Sequence, residues 1–230
     1  MKLVLFDTYG VLIRQRSGSR YMAEAMLSIY GVEIDGADTA YADGMTARQS
    51  ATATLLAHGI EREVIEARMQ HFLDELQYAY QNDVGLEKLV DAGKLLIDGA
   101  RELLSRLEAS GAMLGIATGS PEGIAAFDLN RAGISHHFKA CAYGGAETSM
   151  RDVIAHAMRI ASELGFEGGA AATCVVAASP AVIDAAISAG ARAVAVVPDN
   201  NSPQEQGKAR AGVVAIRNLR HAALLKTILG

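Results

Sequence analysis

Asp7 has the placement of a chemical group. It ends the unbroken apolar run Leu3–Phe6, and Gly10 follows three residues later. Such a run reads as a strand buried on both faces, as in a parallel sheet. An acid where that strand stops lies at the carboxyl edge, where open α/β sheets bind their ligands. Gly10 allows a turn conformation that a side chain would resist. Asp is equally at home as a helix N-cap or turn residue. A second candidate is Thr118-Gly119-Ser120, after the apolar stretch from Met113 to Ala117. A hydroxyl at a strand end, then glycine and a helix start, makes an anion cradle, because backbone N–H groups and the helix dipole both favour a bound anion. An ordinary helix cap would use the same residues.

The elements that position these groups follow from hydrophobic spacing. Residues 20–30, 46–58 and 61–82 read as three helices, with Gly31 and Gly59 as stops and Thr46 as an N-cap. Gly85 lies just past the third. The polar stretch 14–19 reads as a linker out of the first strand. From Leu95 the pattern alternates. Strands are expected at 113–117, 138–142, 173–177, 191–197 and 213–216. Helices are expected from Gly99 to 107, Pro121 to 132, Arg151 to 164, Ser179 to 190 and Asn218 to 229. Alternating strands and helices imply a parallel sheet. The expected fold is α/β, a doubly wound parallel sheet formed by residues 1–13 and 95–230, with an α-helical cap at 14–94.

Bulk properties exclude several classes. The formal net charge of −5 leaves no basic footprint for nucleic acid. No apolar stretch approaches a membrane span, and the N-terminus runs into a strand with no signal-peptide layout. Cys141 and Cys174 read as buried free thiols in a reducing, cytoplasmic setting.

FDTYGVL, from Phe6 to Leu12, resembles the first motif of the haloacid dehalogenase superfamily, a strand followed by D-x-D-G-T/V-L. The resemblance extends over nearly the whole chain. It implies that Asp7 is the nucleophile of a phosphatase-like hydrolase and that Thr118, with Gly119 and Ser120 beside it, binds the transferring anion. Tyr9 stands where the phosphatases carry their general acid. The third-motif cation, usually Lys, matches Arg151, whose guanidinium suits a carboxylate or phosphate; Lys139 is a weaker substitute. Residues 44–49 (GMTARQ) look like the substrate-facing turn of the family's cap, which would bring Arg48 to a substrate anion.

The fourth motif departs from the family. VVAASPAVIDAAISAGA keeps the frame from Ser179 to Ala191, but Ala177 and Ala178 replace Gly-Asp, Val182 replaces the second Asp, and Asp184 falls on another helical face. The resemblance implies Mg²⁺, held by Asp7, the carbonyl of position 9 and a fourth-motif Asp. Only Asp7 remains of those side chains, and one carboxylate is a poor Mg²⁺ site. Three functions are compatible with this pattern: a slow or unusual phosphatase acting on a small phosphorylated metabolite; a metal-independent 2-haloacid dehalogenase, which resembles this chain in carrying Tyr two residues after its nucleophile; and a non-catalytic binder of a small anion or a protein. Oligomeric state leaves no mark on the sequence.

Overall fold

The computed structural model describes residues 1–14, 18–35, 44–83, 95–196, 214–216, 219–220 and 222–230. The strands are β1 (Leu3–Phe6), β2 (Met113–Thr118), β3 (Ala140–Tyr143), β4 (Thr173–Ala177), β5 (Arg192–Val196) and β6 (Val214–Ile216). They form one six-stranded sheet, ordered β3-β2-β1-β4-β5-β6. Every pairing in it is parallel.

The side-chain alternation of β1 shows why the sheet is covered on both sides. Val4 and Phe6 pack against α4 (Ala100–Ala109), α5 (Glu122–Arg131) and α8 (Ala222–Leu229), through Leu103, Leu107, Leu129 and Leu224. Leu3 and Leu5 pack on the opposite face against α6 (Met150–Glu163) and α7 (Pro180–Ser188), through Val153, Ile154, Ala157 and Ile183. β1 is wholly buried, so neither face carries a polar residue until Asp7. Each fully buried Leu, Val or Phe of these layers contributes about 1.5–3 kcal/mol.

Three helices pack around a separate apolar cluster: α1 (Ser19–Tyr30), α2 (Ala47–Ala57) and α3 (Arg62–Gln81). The stripe of Ile65, Met69, Phe72, Leu73 and Leu76 on α3 fills its centre. Thr46 starts α2 with a capping box. Its hydroxyl accepts from the Gln49 N–H at 3.1 Å, and its own N–H donates to the Gln49 side chain at 3.0 Å.

Two local expectations shift. Pro121 is the N-cap of α5 and lies outside its first turn. Its backbone is extended, and its carbonyl accepts from Ile124 and Ala125. The strand expected from Phe138 starts two residues later, because Ser135–His137 winds into a 3₁₀ turn. Lys139 therefore precedes β3, with its N–H donating to Leu114 at 2.9 Å. Among the expected boundaries, Gly85, Val197, Val213 and Asn218 lie outside the described residues, as do residues 15–17 of the linker at 14–19.

Candidate active site

The strand order reverses at β1, which lies between β2 and β4 with Phe6 level with Ile116 and Val176. This is the switch point where doubly wound sheets open a crevice. Asp7 stands there. Its N–H donates to the Val176 carbonyl at 3.0 Å, extending the ladder by one bond. One carboxylate oxygen, Oδ1, accepts the Thr8 N–H at 2.8 Å. The chain then turns tightly. Leu12 and Ile13 both donate to the Thr8 carbonyl, and Gly10 donates to Ile13. Gly10 has φ 76°, and a Cβ on it would lie 3.1 Å from that of Ala178. The sequence sets a glycine where the turn needs a left-handed residue and where the loop after β4 leaves little room.

Thr118 closes β2 and is buried. The Ser120 N–H lies 3.5 Å from its hydroxyl, and Ser120 is itself buried. Gly119 is held by what covers it. Its carbonyl accepts the Ala47 N–H at 2.8 Å, and a Cβ there would come within 2.3 Å of the Met45 carbonyl oxygen. The turn before α2 therefore rests directly on the Thr118-Gly119-Ser120 loop. Arg48 belongs to this contact. Its N–H donates to Gly144 and its Nε to Gly145, each at 3.3 Å, while a terminal nitrogen pairs with Glu66 at 2.6 Å. The guanidinium is engaged by a backbone carbonyl and a carboxylate.

Arg151 is the second residue of α6 and is exposed, whereas its neighbours Met150 and Val153 are buried against the sheet. α6 begins after β3, on the side where the parallel strands end. Leu3 and Leu5 face α6, and Asp7 continues that alternation.

Tyr9 does something no local pattern announces. Its hydroxyl donates to Asp128 Oδ2 at 2.7 Å. Asp128 lies on α5, fully buried, and the same oxygen receives the hydroxyl of Tyr80 from α3 at 2.7 Å. The one sequence signal was spacing, because Ile124, Ala125 and Leu129 form the buried stripe of α5 and Asp128 falls on it.

Ionisable groups nearby are held neutral by burial. The Tyr143 hydroxyl, level with Thr118, is pushed far above the ordinary phenol range, first by burial and then by Cys141. Burial also raises Cys141, and it lifts Cys174 to about 11. Neither thiol has the lowered pKa of a nucleophile.

The donors at this edge do not fit a Mg²⁺ ion. Ala178 and the buried Val182 supply no oxygen from their side chains where the fourth motif would carry carboxylates. Among the described residues no three His, Cys, Asp or Glu side chains gather into a metal-holding group. Asp7 with one carbonyl falls short of the octahedral oxygen set the ion demands.

A family model of haloacid dehalogenase-like hydrolases matches residues 1–190. The chain belongs to this family of hydrolases. Among solved structures it is similar to β-phosphoglucomutase from Clostridium difficile, with TM-score 0.67 and 16% identity over 95% of this chain and 92% of that one. It is also similar to a variant of CbbY from Rhodobacter sphaeroides in complex with xylulose-(1,5)bisphosphate, with TM-score 0.69 and 16% identity over 99% of each. A phosphonoacetaldehyde hydrolase-like protein from Oleispira antarctica gives TM-score 0.66 and 18% identity over 99% of this chain and 92% of that one. At these identities the likeness establishes the fold. No curated protein matches the sequence. No described helix is long and apolar enough to cross a membrane.

Proposed function

We propose that the chain is a cytoplasmic hydrolase of a small phosphorylated metabolite that works through a covalent intermediate on Asp7. The observation that carries this is Asp7 at the switch point of the sheet, one strand from the Thr118-Gly119-Ser120 loop. A carboxylate oxygen of Asp7 attacks phosphorus, and the bond from phosphorus to the leaving oxygen breaks with its electron pair. The leaving oxygen takes a proton from solvent, since the Tyr9 hydroxyl already gives its one proton to Asp128. Water then attacks the aspartyl phosphate, releasing phosphate and restoring Asp7. Thr118, the backbone at Gly119 and Ser120, and the Arg151 guanidinium bind the anion. Residues 14–94 act as the cap over a core of 1–13 and 95–230, and Arg48 closes the cap turn onto that core. Similarity in fold to β-phosphoglucomutase and to CbbY bound to a sugar bisphosphate supports a phosphorylated substrate. Without the acids at 178 and 182, turnover is slow.

The alternative is a metal-independent 2-haloacid dehalogenase, favoured by Tyr9 and the absent fourth-motif acids. There Asp7 attacks the carbon bearing the halogen, and halide leaves. A panel of phosphomonoesters and 2-haloacids, each with and without Mg²⁺, separates the two. Phosphate release sustained without Mg²⁺ supports the first reading, and halide release the second. Anion binding without turnover of either class identifies a binder and overturns both.

A further inference from the structure

We propose that Asp128 is a positioning residue that ties the working position of Tyr9 to the docking of the cap. The catalytic half of this statement rests on the hydrolase reading above; the mechanical coupling does not.

Three separate pieces of chain meet at one atom. Tyr9 comes from the loop after the nucleophile, Tyr80 from the last turn of α3, and Asp128 from the middle of α5. Both hydroxyls donate to Oδ2 at 2.7 Å. Oδ1 is buried and accepts no hydrogen bond among the described residues. A carboxylate left half satisfied in a buried seam is poor glue, because burial of its second oxygen carries a desolvation cost that an apolar side chain would avoid. Its role here is to specify geometry rather than to stabilise. Here the geometry is that of a phenol two residues beyond Asp7.

The surroundings fix this joint on the cap side. The Gly123 N–H donates to Gln77 at 2.6 Å, and Gln81 donates to the Gly123 carbonyl at 2.8 Å. These bonds set α3 in register on the start of α5, so Tyr80 meets Asp128. The Tyr80 ring packs edge-on against Phe127 and Tyr21. Tyr21 in turn donates to Asp83, which also pairs with Arg20. With Tyr80 seated, Asp128 has a fixed acceptor for Tyr9. With the cap lifted, the carboxylate loses one of its two donors and is free to rotate, and the Tyr9 ring loses its anchor.

Hydrogen exchange tests the coupling without substrate. The amides of Gly10, Leu12 and Ile13, all bonded inside the loop, should exchange at least about threefold faster in Tyr80→Phe, although the substitution lies in the cap. Phe72→Leu, which loosens the cap core away from Asp128, should leave them unchanged. Unchanged loop exchange in Tyr80→Phe, or equal acceleration by Phe72→Leu, overturns the proposal. Kinetics with para-nitrophenyl phosphate test the catalytic half. Tyr9→Phe, which frees the loop after Asp7 from Asp128, should lower kcat at least about tenfold. Tyr80→Phe should lower it about threefold, with KM within about twofold. The double variant should equal Tyr9→Phe alone, because both hydroxyls act through one oxygen. Effects that multiply overturn it. Asp128→Asn, which keeps an acceptor, should retain most of kcat, whereas Asp128→Leu should fall to the level of Tyr9→Phe. If Asp128→Leu does not fold, the tyrosine comparison still decides. A parent inactive on every phosphomonoester overturns the phosphatase reading, and loop exchange then decides the coupling by itself.

Discussion

The loops after β1 and β4 stand side by side at the carboxyl edge and meet where Gly10 faces Ala178. The first keeps an acid at its start, a left-handed glycine and a closed set of backbone bonds. The second carries Ala178 and no acid at its start. Ser179 caps α7 by accepting from Val182, Pro180 occupies the first turn, and Val182 and Ile183 are buried on the sheet. The fourth-motif frame is held by capping and packing, which do not need the acids. Architecture and chemistry are thus separable in one loop and fused in the other, where the Asp7 side chain bonds the turn that follows it.

Breaking the first loop should cost most. Asp7→Asn should lower turnover at least about a thousandfold, measured by steady-state phosphate release. Retention of half the activity would remove Asp7 as nucleophile and leave both loops without chemistry.

The next effect asks whether the strand beneath the second loop is as firm as β1. Cys174 on β4 pairs with Val4, and burial lifts its thiol from 9.0 to about 11. In the unfolded chain the thiol ionises first. Its contribution is therefore undiminished below about pH 8.5 and is lost as pH rises towards 11, amounting to about 2 kcal/mol by pH 10.5. Denaturant unfolding of the parent against Cys174→Ala at pH 8 and 10.5 isolates this slope. Equal slopes would mean that β4 is looser than β1.

Gly10→Ala should destabilise by about 1–2 kcal/mol in the same assay, through its left-handed backbone and its contact with Ala178. Adding Ala178→Gly should recover only the contact. The smallest expected effect adds an acid to the second loop. Ala178→Asp should tighten Mg²⁺ at least about tenfold by calorimetry, since a second carboxylate then stands near Asp7. Micromolar Mg²⁺ binding by the parent would contradict the donor argument made for this edge.

Much of this comparison could be read from residue order. The run Leu3–Phe6, the strand read over 113–117 and the helix starts at Thr46 and Ser179 carry local signals of periodicity, capping and fixed φ. Ala177, Ala178 and Val182 stand plainly in the residue order. Asp128 was not visible in the same way. It bonds residues 119 and 48 positions away, and a lone Asp in a helix reads as a solvated one unless the stripe of Ile124, Ala125 and Leu129 is followed through it. The seating of Met45 on Gly119 was equally hidden, because it depends on how two distant turns approach and on no property of either alone.

The paired glutamines on α3 have a mechanical consequence. Gln77 and Gln81, one turn apart, grip the backbone N–H and C=O of a single residue, Gly123. They act as adjacent teeth engaging one pin. A slide of α3 along its axis by less than a full turn, about 5.4 Å, leaves both teeth disengaged with no new purchase. A pivot about Gly123 would keep both bonds and would carry the Arg62 end of α3 furthest.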